Sequence, residues 1–305
     1  MTTHARKLAL CIACALGLSG WTTAAVAQER FPTPDAAADA LVEALGTDKA
    51  DTARLEALLG KDWGDFIPTG GVARPDVDYF LEAYGNGHDL QVDGDTAHLR
   101  VGEGHWTLPI PITQGSGGWA FDTRAAADEI RTRRIGTNES QTLVSLLAYH
   151  DAQMDYAAQD RDDDGVLEYA RQILSTEGEH DGLYWSEDAT GDLSPLGPLF
   201  ADAKAGEGWH GYRFQVLTAQ GPSAPGGAYD YRLGDDMSRG FAAVAWPQEY
   251  GESGIMSFMI SHDGQVFEKD LGADGAATAQ AMKAFDPDSS WEEVADPMVV
   301  KVETP

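Results

Sequence analysis

Cysteine is almost absent. The 305 residues hold two, Cys11 and Cys14, and both lie in a segment that reads as a secretory leader. Arg6 and Lys7 give it a basic start, residues 8–18 form a short apolar run, and Ala25-Val26-Ala27 makes a small-x-small cleavage site before Gln28. The C-x-x-C spacing is then no redox or zinc motif, and the processed chain has no thiol for a disulfide, a nucleophile or a ligand. The apolar run is too short to span a bilayer, so the chain is expected in the periplasm or outside the cell, with no membrane span after cleavage. A retained membrane anchor and lipid attachment at Cys14 are the competing readings. Against the second, Cys11 stands three residues before Cys14, and the apolar run ahead of it is short.

Basic residues are scarce too. Twenty-one Lys and Arg face 50 Asp and Glu, a formal charge of −29; without the two basic residues of 1–27, 19 face 50, or −31. A surface this negative repels nucleic acid and anionic headgroups, and it favours solubility in a cation-rich compartment. Motifs of covalent chemistry are missing: there is no G-x-S-x-G elbow, no S-x-x-K, no P-loop, and no H-E-x-x-H or H-x-x-x-H pair. Gly115-Ser-Gly-Gly118 lacks the strand-to-helix setting of a dinucleotide site and reads as a hairpin turn. With 50 acids in the chain, any single carboxylate pair is uninformative as an acid–base couple.

What is present is a pattern of α+β type. Thr33-Pro34-Asp35 is a helix start, with a cap hydroxyl, proline in the first turn and an acid at the positive end of the dipole. Leu55, Leu58 and Leu59 mark a second helix, and Val77, Phe80, Leu81 and Tyr84 a third. The period then falls to two: Leu90 and Val92, an Asp93-Gly94 turn, then Ala97, Leu99 and Val101 predict a hairpin. Two more strands are expected over 106–112 and 119–121. Helices followed by a curled antiparallel sheet define an N-terminal domain over 28–124, similar in element order to the cone-shaped domains of nuclear transport factor 2 or cystatin.

Residues 125–135 read as a connecting helix, and 136–292 as a second domain with a tail at 293–305. A capping box at Asn138-x-x-Gln141 would start a helix running to about Ala158, with Leu143, Leu147, His150 and Met154 along one stripe. A further helix is expected over 166–174. Alternating runs at 211–218, 241–247, 254–261 and 263–268 then predict a four-stranded antiparallel meander under the long helix, with a helical tail over 280–291.

Several blocks carry a resemblance: Arg134-Ile-Gly-Thr-Asn-Glu139, Asp164-Gly-Val-Leu-Glu-Tyr-Ala170, Asp181-Gly-Leu-Tyr-Trp185, Gly211-Tyr-Arg-Phe214, Gly227-Ala-Tyr-Asp-Tyr231 and Glu268-Lys-Asp-Leu271. They resemble the bacterial family called domain of unknown function 2950, across nearly all of the mature chain. The family implies an exported protein and assigns no activity or catalytic residues. The helix and meander over 136–272 are also similar to the globular part of type IV pilins and pseudopilins, but the apolar N-terminal half of the pilin helix is missing here.

One motif points to a ligand. Asp160, Asp162, Asp164, Val166 and Glu168 fit the first half of a calcium loop, with carboxylates at alternate positions, Gly165 at the turn and a backbone carbonyl from Val166. Position twelve is Arg171 where a bidentate Glu would stand, so Glu177 or Glu179 would have to complete the shell. The alternative is a solvated acidic turn with Asp164 capping the next helix. Among the aromatics, Tyr184, Trp185 and Tyr229 fall in loops and are the candidate surface for a partner. The leading expectation is an exported, non-catalytic envelope protein that binds an envelope protein or a cell-wall component. An envelope hydrolase built on His180, His210 and nearby acids is the second reading, and a soluble accessory of a pilus or secretion system the third.

Overall fold

A computed structural model describes residues 28–67, 73–161, 164–186, 193–197 and 208–295. The protein is of the α+β class. Three helices open it: α1 (Pro34–Leu45), α2 (Thr52–Leu59) and α3 (Arg74–Asn86). Their starts are chemically marked. Thr33 Oγ1 accepts the Ala36 amide at 3.2 Å, Asp51 Oδ1 the Arg54 amide at 3.0 Å, and Asp76 Oδ2 the Ala73 amide at 3.0 Å.

The strands β1 (His88–Asp93), β2 (Thr96–Val101), β3 (Trp106–Thr107), β4 (Ile112–Gly115) and β5 (Gly118–Phe121) follow. They form an antiparallel sheet of order β1-β2-β4-β5, with β3 also on β2. Along β2, Ala97, Leu99 and Val101 turn inward beneath the helices, the alternation of a sheet covered on one face. Val92 does not join them. It lies on the edge strand β1 and is 54% exposed. Gly118 has φ +114, and a side chain there would run into the Phe31 carbonyl, where residue 31 bridges Trp119.

The next helix departs from expectation. A single helix, α4 (Ala127–Tyr156), replaces the predicted connector and second helix. Asn138 caps nothing: its Nδ2 donates across to the Ser253 carbonyl at 2.8 Å. The buried stripe is also rotated from the predicted one. It runs through Thr142, Leu143, Ser145, Leu146, Tyr149, Ala152, Gln153 and Tyr156, while Met154 is 51% exposed. The buried hydroxyls explain why an apolar count misplaces it. Ser140, Thr142 and Ser145 each donate to the carbonyl four residues back, at 2.7, 2.8 and 2.8 Å, so they enter the interface already satisfied.

Beyond α4 come β6 (Gln172–Leu174), β7 (Gly182–Tyr184), β8 (Tyr212–Leu217), β9 (Ala219–Gln220), β10 (Tyr229–Asp230), β11 (Ala242–Pro247), β12 (Met256–Ser261), β13 (Val266–Asp270), α5 (Gly275–Ala281), β14 (Ala284–Phe285) and β15 (Glu292–Glu293). The predicted meander is present as β8-β11-β12-β13, antiparallel throughout, with β15 added at the edge. It is buried on both faces. Ala243, Ala245, Phe258 and Ile260 pack toward α4; Ala242, Val244, Trp246 and Met259 pack toward α5 and β14. That double burial accounts for the uninterrupted apolar run of β11.

Two expected helices are corrected. Residues 166–170 are irregular and lead into β6, which runs parallel to β7. The backbone groups of this segment are taken by tertiary partners. Tyr169 N donates to Met237 O at 3.0 Å, and Gln153 grips both polar groups of Ala170, donating Nε2 to its carbonyl at 2.9 Å and accepting its amide on Oε1 at 2.8 Å. The expected tail helix over 280–291 is instead the end of α5 followed by β14, which pairs in parallel with β9. Among the described residues no helix is long and apolar enough to cross a membrane.

Candidate functional site

The predicted calcium loop is only partly described. Asp162 lies outside the described residues. Asp160 Oδ2 accepts the Gly165 amide at 2.9 Å, and Asp164 Oδ1 accepts the Val166 amide at 2.7 Å, so both acids close the turn locally. Asp164 caps no helix, since none follows. Val166 is exposed and Glu168 buried. Asp160 Oδ1 is buried with no hydrogen-bond partner among the described residues. Arg171 donates away from the loop, to Asp235 O at 3.4 Å. No group of three or more His, Cys, Asp or Glu that could hold a metal occurs among the described residues.

The predicted partner surface is divided. Trp185 is 7% exposed, which corrects its assignment to the surface. Its ring stacks on His180 at 4.1 Å, and the Arg161 guanidinium lies 5.2 Å from its centre and 5.1 Å from that of Tyr156. Tyr184 is half-buried. Tyr229 is half-buried elsewhere, under the Arg239 guanidinium at 5.1 Å and edge-on to Tyr231.

The histidines of the hydrolase reading do not meet. His180 O accepts from Tyr156 at the end of α4, whereas His210 precedes Gly211, which packs against Asn138. Residues 138 and 156 are about 27 Å apart along the helix. His150 and His262 are the pair that approaches, with His150 Nε2 3.3 Å from the His262 carbonyl.

Blocks distant in sequence converge at the start of α4. Arg134 Nη2 pairs with Glu252 at 2.7 Å, and Glu139 Oε1 accepts the amides of Ile255 and Met256 at 2.9 and 3.0 Å. Burial first, and then the Glu139 and Glu292 carboxylates, raise the Glu268 carboxyl above its ordinary value. A carboxyl raised in the folded state contributes full stability below its unfolded value, and that stability is lost as pH rises through the folded value. Glu268→Gln is therefore expected to melt higher than the parent at pH 7 to 8 and to match it near about pH 4. Thermal scans across that range check this; equal melting at neutral pH would refute it.

One concavity among the described residues was not predicted. A cleft of about 990 Å3 opens between α3, the turn joining β2 to β3, and Arg133 of α4. Helical geometry builds one wall. Phe80 and Tyr84 go to the core, so Tyr79, Glu82, Ala83 and Asn86, at spacing i, i+3, i+4, i+7, face the cleft. The opposite wall is the 102–105 turn. His105 there holds a left-handed φ of 51, a conformation costly for a residue with a Cβ, and its Nδ1 sits 3.4 Å from Asp89 Oδ2. Trp106 pairs with Val101, meets Phe80 edge-on at 6.2 Å, and carries the Arg133 guanidinium 5.5 Å from its ring centre. Arg133 is fixed by donating Nη1 to Thr107 O at 2.8 Å and Nε to Glu129 Oε1 at 2.7 Å. Thr107 Oγ1 donates to the His105 carbonyl at 3.4 Å, so the one hydroxyl of this wall is directed at backbone, not at an imidazole nitrogen. The arrangement is rigid and aromatic, with exposed carboxylate and amide groups along α3.

The profile of a family described as protein of unknown function (DUF2950) matches residues 28–294. No curated protein and no solved structure matches the chain. The likeness to pilin globular domains and to the cone-shaped domains is not confirmed by these comparisons.

Proposed function

Because the chain belongs to the DUF2950 family, whose description assigns no activity, function has to be argued from the site, and we propose an exported, non-catalytic binding protein of the cell envelope. It holds an envelope protein or cell-wall component in the cleft between α3 and the 102–105 turn. The observation that carries this reading is the cleft itself: Tyr79, 53% exposed, faces a wall whose Trp106, Arg133 and Thr107 are already locked by one another. Preorganised aromatic and polar walls suit recognition. Export is supported by the leader over 1–27 and by the family match beginning at 28. A cut before Gln28 leaves a residue whose Nε2 is already anchored to the Leu58 and Phe121 carbonyls at 2.8 and 2.6 Å.

The test is cosedimentation of the mature chain, starting at Gln28, with isolated cell-wall and membrane fractions. Retention of the parent and its loss in Tyr79→Ala is expected. No retention, or equal retention of the variant, contradicts the reading.

A calcium ion held by Asp160, Asp162, Asp164, the Val166 carbonyl and Glu168 belongs to the same proposal. Its support is the buried Asp160 Oδ1, an anionic oxygen that a hard cation would satisfy. Calcium is expected to raise the melting temperature of the parent and not that of Asp160→Asn. An unchanged parent melt in excess calcium removes the ion from the account.

A further inference from the structure

We infer that the cleft beside α3 takes an uncharged glycan, a chain of neutral sugar rings, one of which lies on the exposed face of Tyr79. The inference rests on the reading of this cleft as the binding site and names the class of ligand.

Charge excludes one alternative. The chain carries −29, and Glu82 and Glu103 stand on the cleft walls, so an anionic ligand meets repulsion from both the whole molecule and the site. The one guanidinium lining the cleft, that of Arg133, is already engaged, its charge paired with Glu129 and one Nη1 hydrogen given to the Thr107 carbonyl, so it is a poor clamp for an anion. That same fixed guanidinium, lying over Trp106, opposes a cation settling against this aromatic ring.

What remains exposed is the Tyr79 ring and, on the facing wall, the His105 imidazole beside Asp89, with polar groups around them. Tyr79 is 53% exposed, and its ring can cover the C–H face of a sugar while the flanking side chains take the hydroxyls. Glu82, Asn86 and Glu103 are exposed and line the same cleft. Carboxylates accept hydroxyl protons and an amide both accepts and donates. A ligand rich in neutral hydroxyls gives each of these a hydrogen-bond partner as it covers them, whereas a hydrophobic ligand would leave the carboxylates buried and unpartnered. From Tyr79 to Asn86 the wall extends about 10 Å along α3, and the cleft is open, so the ligand is extended and enters from the side. The strained His105 and the pairing of Trp106 with Val101 hold the facing wall in place before binding.

The experiment is titration calorimetry of the mature chain with chitohexaose, cellohexaose and maltohexaose, run at about 50 and about 500 mM NaCl, with an alternating Lys-Gly decapeptide as the competing class. At least one hexasaccharide is expected to bind, with affinity changing by no more than about twofold between the two salts. Tyr79→Ala is expected to weaken it about tenfold or more, and the sugar is recovered intact. A circular-dichroism melt equal to the parent's shows that this surface variant is folded. Failure of all three sugars, binding indifferent to Tyr79→Ala, cleavage of the sugar, or salt-sensitive binding of the peptide alone would each overturn the inference. If the sugars fail while Tyr79→Ala still abolishes cosedimentation with envelope fractions, the ligand class falls and the cleft reading stands. If both fail, the cleft reading falls as well.

Discussion

Replacing Gln153 by alanine lowers the melting temperature by roughly 8–16 °C, the equivalent of about 4 kcal/mol. Gln153 is fully buried on α4 and closes a two-point contact with Ala170, accepting its amide at 2.8 Å and donating to its carbonyl at 2.9 Å, with Tyr149 Oη at 3.1 Å. Alanine leaves a buried backbone donor and acceptor unpaired and opens a cavity, and both effects act in the same direction. Gln153→Met separates them: it fills the volume and still loses the hydrogen bonds, so it recovers only part of the loss. Full recovery by methionine would show that packing, not the clamp on residue 170, holds this segment against the helix.

The second large effect is expected at Gly254, on the turn that α4 grips. A Cβ there would lie 2.6 Å from Tyr212 Cε2 and closer still to the hydroxyl. Tyr212 cannot retreat. Its ring is fully buried, and its hydroxyl donates to the Met256 carbonyl at 2.9 Å. Gly254→Ala therefore costs about 3 kcal/mol or more, at the upper end of overpacking. Tyr212→Leu creates a void in the parent but room in the variant, so the double substitution costs less than the sum of the two singles. Additive losses in chemical denaturation would mean that the clash is relieved by backbone movement.

The elements written in local chemistry were legible. Thr33 marks a helix start because its hydroxyl oxygen caps the amide three residues on, and Asp93-Gly94 and Gly115-Ser-Gly-Gly118 mark hairpins because their flanking strands pair directly. The meander was legible because its strands are short apolar runs bounded by turn residues, even where burial on both faces leaves β11 without alternation. What was misread depends on partners far away in sequence. Asn138 resembles a cap but serves Ser253 from within a continuous helix; 166–170 has helical spacing, but the amides of Tyr169 and Ala170 go to Met237 and Gln153. Hydroxyls that bond back along α4 hid its buried face. The cleft left the faintest trace. It is assembled from 79–86, 101–107 and Arg133, and the only local signs were an aromatic on the outward side of α3 and the strand-linking Gly102-Glu-Gly104 turn. Trp185 misled in the opposite sense, since a loop aromatic can be a core residue once a histidine stacks on it.

Hydrogen–deuterium exchange of the chain from Gln28, free and bound to envelope material, tests the proposed recognition cleft most directly. Added protection over 79–86 and 101–107, with the meander unchanged, is the predicted result. Protection centred on Tyr184 or Tyr229, with the α3 wall exchanging as in the free protein, would contradict it.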